Sequence, residues 1–213
     1  MRLLTTVAVF ATLGISSFAA TPPQVPRPAK EFDFAEPNGR HNLLSSYKGK
    51  VVVIQFLYTT CPHCQAMSQM LTKLQQEYGP RGLQILGAAF NPEVVDPAKP
   101  DSVHPEVVTA YVRQLNVGFP VGFSARDTVM SFLMLSLLDR YVVPQVAVID
   151  RKGQIREQTE ANPQGAAPLQ NEAYLRNLIE KLLKEPAAGA AAPPAKTSSA
   201  TKKAAPVAAS TKK

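Results

Sequence analysis

The sequence predicts one α/β domain with a mixed central sheet flanked by helices, and three observations carry that expectation. Val51 to Tyr58 is a nearly continuous β-branched and apolar run broken only by Gln55, the pattern of a central strand buried on both faces. A helical face follows at once and leads into a second apolar run, Leu83 to Phe90, so this stretch is a strand, helix, strand unit with parallel strands. Further on, Gln145 to Ile149 and Gln154 to Gln158 flank the turn Asp150-Arg151-Lys152-Gly153 and read as an antiparallel hairpin, which makes the sheet mixed.

In chain order, residues 1–20 come first as a leader. Arg2, an apolar stretch from Leu3 to Ile15 and then Ser17-Phe18-Ala19-Ala20 have the form of a secretory signal peptide, with an uncleaved N-terminal anchor as the other reading. Either one places the domain in the periplasm or outside the cell, where disulfides can form. Residues 21–30 hold Pro22, Pro23, Pro26 and Pro28 and are expected to form a linker without regular structure. The domain is assigned to residues 31–185, and residues 186–213, rich in Ala, Lys and Pro, to a disordered tail.

Within the domain, Met67, Met70, Leu71, Leu74 and Tyr78 keep the spacing of one helical face. Pro62 suits its first position, and Gly79-Pro80 is a stop signal. Asn91 to Pro105 reads as a loop, and Val107, Val108, Tyr111, Val112 and Leu115 as a short amphipathic helix ahead of a strand from Phe119 to Phe123. Thr128 to Leu138 is expected to be a helix that is apolar nearly all round. Two readings of residues 129–138 stay open: burial in the core, or partial exposure that docks a substrate, a redox partner or a second copy in a homodimer. Leu175, Leu178, Ile179, Leu182 and Leu183 mark a closing helix.

Composition narrows the function. The chain has 213 residues, a net charge of +7 and two Cys, so a disulfide-dense scaffold is excluded. Five Lys and no acid lie in residues 186–213, and Arg2 is in the leader, which leaves the rest at about +1. No nucleic-acid groove is implied.

Both cysteines fall in Cys61-Pro62-His63-Cys64, where a buried strand meets a helix. Unpaired N–H groups and the positive end of the helix dipole favour a thiolate there. Cys61 then takes the cap position as attacking thiolate, and Cys64, one turn in, is the resolving thiol. Protonated His63 would stabilise the Cys61 thiolate and make the disulfide more oxidising; a solvated, uncoupled His63 is the alternative. Structural zinc usually needs four ligands, and only His41 and His104 remain elsewhere. Haem attachment needs His where Gln65 stands, and a purely structural disulfide would close too small a loop to stabilise the fold much.

The run Asn38-Gly39-Arg40, Tyr47 to Phe56, Cys61-Pro62-His63-Cys64 and then Val143-Pro144-Gln145-Val146-Ala147-Val148-Ile149-Asp150 with Gly153 resembles the thioredoxin-like superfamily. Within it, the resemblance is to exported TlpA/ResA-type thiol-disulfide oxidoreductases, redoxin domains, over Phe32 to about Leu183. It implies a thioredoxin-like fold with a helix, the one around Tyr111, inserted between the second and third parallel strands. It also implies that Pro144 is a cis-proline and that the Val143-Pro144 loop binds substrate. Where thioredoxins carry a buried Asp this chain has Gln55, and where many TlpA/ResA relatives carry Glu it has Met67. Gln55 can modulate the site by hydrogen bonding but cannot serve as a general base.

The expected activity is thiol-disulfide exchange with protein dithiols or disulfides, with no bound cofactor and no resident metal. A reductase fed by a membrane electron donor follows from the TlpA/ResA resemblance. The Pro-His dipeptide is shared with DsbA-type disulfide donors, and a Cu(I)-binding module is the reading from a different class. Peroxiredoxins place Thr or Ser at the position of Tyr58 and Pro at that of Ile54, so peroxidase activity is not expected.

Overall fold

The computed structural model describes residues 24–95, 103–136, 140–163 and 167–187. The leader assigned to residues 1–20 and the tail beyond residue 187 lie outside the described residues. The strands are β1 (Arg27–Pro28), β2 (Asp33–Ala35), β3 (His41–Leu43), β4 (Val51–Leu57), β5 (Leu83–Ala89), β6 (Val121–Phe123), β7 (Gln145–Ile149) and β8 (Gln154–Gln158). The helices are α1 (Pro62–Tyr78), α2 (Pro105–Leu115), α3 (Arg126–Leu133) and α4 (Glu172–Lys184). One sheet runs in the order β1-β8-β7-β4-β5-β6-β2-β3. Strands β4, β5 and β6 are parallel, whereas β7 runs antiparallel to β4 and to β8, as the hairpin pattern predicts.

All seven residues of β4 are buried, because helices cover both faces of the sheet. Strand alternation divides them. Val51, Val53 and Leu57 face a cluster with Leu71, Leu74 and Tyr78 of α1 and Leu175, Ile179 and Leu182 of α4. Val52, Ile54 and Phe56 face a second cluster built on Phe32, Phe34 and Phe132. The ring of Phe32 lies 5.4 Å from Phe56 and 5.1 Å from Phe132. Residue 55 therefore points to the α1 side, which sets Gln55 beneath the helix that carries the cysteines.

Three elements depart from the sequence reading. The Pro-rich segment taken as a linker contains β1, where Arg27 and Pro28 pair with Ile155 and Gln154, and Ala29 N–H donates to the Gly153 carbonyl at 2.9 Å. A sheet edge tolerates Pro because its missing N–H faces away from the ladder. The hairpin of β2 and β3 extends the opposite edge, turning at Gly39 with φ 81°. These strands are two or three residues long, too short for a period-2 signal.

The third departure corrects the apolar helix. Instead of continuing to Leu138, α3 stops at Leu133, with Met134 left-handed at φ 55°. Leu137 and Leu138 lie outside the described residues. The terminal carbonyls are capped from elsewhere: Arg27 Nη2 donates to Phe132 O at 2.9 Å and Gln158 Nε2 to Leu133 O at 2.7 Å. Val129, Met130, Phe132 and Leu133 are buried, while Arg126, Asp127, Thr128 and Ser131 are exposed. The helix is thus one-sided over its described residues, and of the two readings of residues 129–138, burial in the core holds for Val129, Met130, Phe132 and Leu133. No helix among the described residues is long and apolar enough to cross a membrane.

The junction of β6 with β2 depends on Gly122, where a Cβ would meet the Ala35 carbonyl oxygen at 2.2 Å and Phe34 Cδ2 at 2.6 Å. Gly122→Ala is expected to destabilise the fold by at least about 2 kcal/mol, since backbone has to move to admit the methyl group. Urea unfolding measures it, and an unchanged midpoint would contradict this packing.

Candidate active site

The link from β4 to α1 is fixed before the cysteines are reached. Thr59 N–H donates to Asn91 Oδ1 at 3.2 Å, Asn91 Nδ2 returns to Thr59 Oγ1 at 3.1 Å, and Gln65 Nε2 donates to Thr59 O at 2.9 Å. Cys61 N–H then closes a turn onto Tyr58 O at 3.1 Å. This delivers Cys61, with extended backbone, to the N-cap of α1, and Pro62 opens the helix. The Cys61 Sγ accepts the N–H of Cys64 at 3.3 Å. A cap sulfur on an unpaired helix N–H is where negative charge on sulfur is favoured. Cys61 is half-buried, Cys64 is buried, and both are free thiols. His63 and Pro62 are exposed on the first turn.

Beneath Cys64 lies a neutral network. Gln55 Nε2 donates to the Cys64 carbonyl at 2.9 Å, and Gln55 Oε1 accepts from Ser68 Oγ at 2.7 Å. Ser68 Oγ and Tyr111 OH are 2.7 Å apart, and Tyr111 OH also donates to Cys64 O at 3.3 Å. Gln55, Ser68 and Tyr111 are all buried. Burial, then the hydrogen bond to Cys61, pushes the Cys64 thiol far above the ordinary thiol range. Burial also pushes the Tyr111 phenol up to about 12, so the network stays uncharged at neutral pH.

The facing wall is the Val143-Pro144 loop, whose peptide bond is cis. Cys61 Sγ donates to the Val143 carbonyl at 3.8 Å, and Gln170 Nε2 donates to the Pro144 carbonyl at 3.3 Å. Tyr58, at the end of β4, meets Tyr141, ahead of that loop, with their hydroxyls 2.7 Å apart and Phe90 against both rings. Burial and this bond hold the Tyr58 phenol in its neutral form. The aromatic group ties the cysteine side of the site to the proline side.

The structure therefore brings together Cys61, Cys64, Val143, Pro144 and Gln55, with His63 and Pro62 at the rim. Sequence reasoning missed Ser68, which lies on the buried face of α1, and gave Tyr111 only as a core position of its helix. A buried Ser inside an apolar stripe was the available signal. In chain order α2, which carries Tyr111, follows β5 and precedes β6.

Several known proteins are similar to this chain. ResA, a thiol-disulfide oxidoreductase of Geobacillus thermodenitrificans, is 22% identical over 162 residues, covering 74% of this chain and 84% of its own. A thiol:disulfide interchange protein of the thioredoxin family from Chlorobium tepidum superposes with a TM-score of 0.59 at 20% identity, covering 76% of this chain and 99% of its own. The thioredoxin domain of a thiol-disulfide oxidoreductase from Bacteroides vulgatus gives 0.55 at 18%, covering 74% and 96%. These likenesses agree on a thioredoxin-like fold. The family model described as AhpC/TSA matches residues 25–158, from just before β1 to the end of β8, and the chain belongs to the AhpC/TSA family.

Proposed function

We propose that the protein is an exported thiol-disulfide oxidoreductase of the ResA kind that exchanges Cys61 and Cys64 with protein thiols and disulfides, working as a reductase. The observation that carries this is the pairing of a half-buried cap thiol, opposite the Val143 carbonyl, with a buried thiol one turn inside the same helix. The Cys61 thiolate attacks one sulfur of a substrate disulfide, and the other sulfur leaves as a thiolate that takes up a proton. Cys64 loses its proton and attacks Cys61, which releases the second substrate thiol. Two electrons have then passed to the substrate, and a dithiol donor at the membrane restores the pair. Within this chain the cycle uses only the two thiols Cys61 and Cys64, and the substrate disulfide and the donor dithiol supply the other sulfurs.

The ResA relative is named as a thiol-disulfide oxidoreductase, which supports exchange in general, and the reductive direction is carried by the TlpA/ResA resemblance. The Pro62-His63 dipeptide, shared with DsbA-type disulfide donors, is the feature that opposes it. The deciding measurement is the reduction potential of the pair in glutathione buffers. A value near about −270 mV supports the reductase, and one near about −120 mV supports a disulfide donor. Insulin reduction in the same preparation separates exchange from a dithiol that only holds Cu(I). Export rests on the leader, and fractionation of the expressed protein tests it.

Gln55→Glu would place a carboxyl in the network under Cys64, with its pKa raised by burial into the range of a general base. The resolving step is expected to accelerate about tenfold near pH 7. An unchanged rate would show that proton removal from Cys64 is not limited by the missing carboxylate.

A further inference from the structure

The loop opposite Cys61 is held by a side chain to which the sequence reading gave no role. Gln145 follows Pro144 directly and opens β7, opposite Phe56 of β4, and it is fully buried. Its Nε2 donates to the Val142 carbonyl at 2.7 Å and reaches the Glu160 and Ala161 carbonyls at 3.2 and 3.3 Å. Val142 N–H donates in turn to the Ala161 carbonyl at 2.9 Å. One amide thus joins the segment leading into Val143-Pro144 to the segment that follows β8.

The same side chain leaves a polar atom unpaired. Gln145 Oε1 is buried and has no hydrogen-bond partner among the described residues. A buried acceptor without a partner destabilises a fold, and Leu or Met at this strand position would avoid that loss. Gln is explained if its N–H groups hold something whose placement matters. Tyr141 and Val143 pack against the core, but Val142 between them is 40% exposed, so its carbonyl is held by the Gln145 amide and not by packing of its own side chain.

We propose that Gln145 is a positioning residue for exchange with protein substrates. Through the Val142 carbonyl it sets the Val143-Pro144 backbone at the separation from Cys61 that an extended substrate segment occupies during attack. It touches neither reacting sulfur and acts only through the loop. The inference rests on the reading of Cys61 as the attacking thiol. A protein disulfide lies against the loop and depends on its placement, whereas a small disulfide reaches Cys61 with few contacts to it.

Gln145→Met keeps the volume, removes the N–H donors and removes the unpaired oxygen. It is expected to raise KM for insulin about tenfold, with kcat changed less than about twofold. Exchange with hydroxyethyl disulfide is expected to change less than about twofold, and the variant to stay folded at the assay temperature, because loss of the unpaired oxygen offsets part of the lost N–H bonds. Gln145→Leu is expected to show the same split. Equal losses toward insulin and the small disulfide, unfolding below the assay temperature that accompanies the loss of exchange, or an unchanged KM in both variants overturns the proposal. Failure of the wild-type chain to exchange either disulfide would instead overturn the reading of Cys61, and the role of Gln145 with it.

Discussion

Cys61→Ser is expected to lower the rate of disulfide exchange by about a thousandfold or more, because a hydroxyl at the helix cap supplies no nucleophile comparable to a thiolate near neutral pH. Cys64→Ser is expected to behave differently. Cys61 still caps α1 and still attacks, but the mixed disulfide it forms has no resolving thiol behind it. The variant should therefore accumulate a covalent adduct with its substrate, seen as a mass shift that dithiothreitol reverses. The two variants together assign the roles. Retained turnover in Cys61→Ser, or adducts on Cys64 in place of Cys61, would exchange or remove the assignments.

The second large effect concerns pH. Burial, with the hydrogen bond to Cys61 next, raises the Cys64 thiol well above its ordinary range. Below that raised value the reactive thiolate is a minor species, and its fraction grows tenfold with each pH unit. The resolving rate is therefore expected to rise about a hundredfold from pH 6 to pH 8 and to show no plateau before about pH 9. Loading Cys61 with glutathione and following glutathione release across that range measures the step alone. A plateau near pH 7 would mean that a group outside the Gln55, Ser68 and Tyr111 network takes the proton. The sign is the one expected for an acid held neutral: burial stabilises the thiol, so resolution gains from alkali and stalls in acid.

These expectations draw unequally on sequence and structure. Strand β4, helix α1 and strand β5 were legible because each carries its own period and its own punctuation, with Pro62 at the start of the helix and Gly79 at its stop. The position of Cys61 at the helix cap follows from that local pattern alone. The cis bond at Pro144 was legible only through resemblance, since an isolated X-Pro dipeptide does not announce its isomer. The end of α3 was not legible: nothing in Phe132-Leu133-Met134 signals a stop, and the caps come from Arg27, 105 residues away from Phe132, and from Gln158.

The same distinction separates the cysteines from what surrounds them. The strand, helix, strand unit with two thiols at its first junction is written into the local pattern, because those features depend on neighbours within a few turns of chain. Long-range packing is what lets Tyr111, 47 residues from Cys64, donate to its carbonyl and brings Tyr58 to Tyr141 across 83 residues. It likewise lets Gln145 span from Val142 to Ala161. Such meetings depend on the order β8-β7-β4-β5-β6 of the sheet and on the faces its helices cover. Local propensity carries no record of that order, because strand order is settled by which apolar faces can be buried together once the whole chain has collapsed.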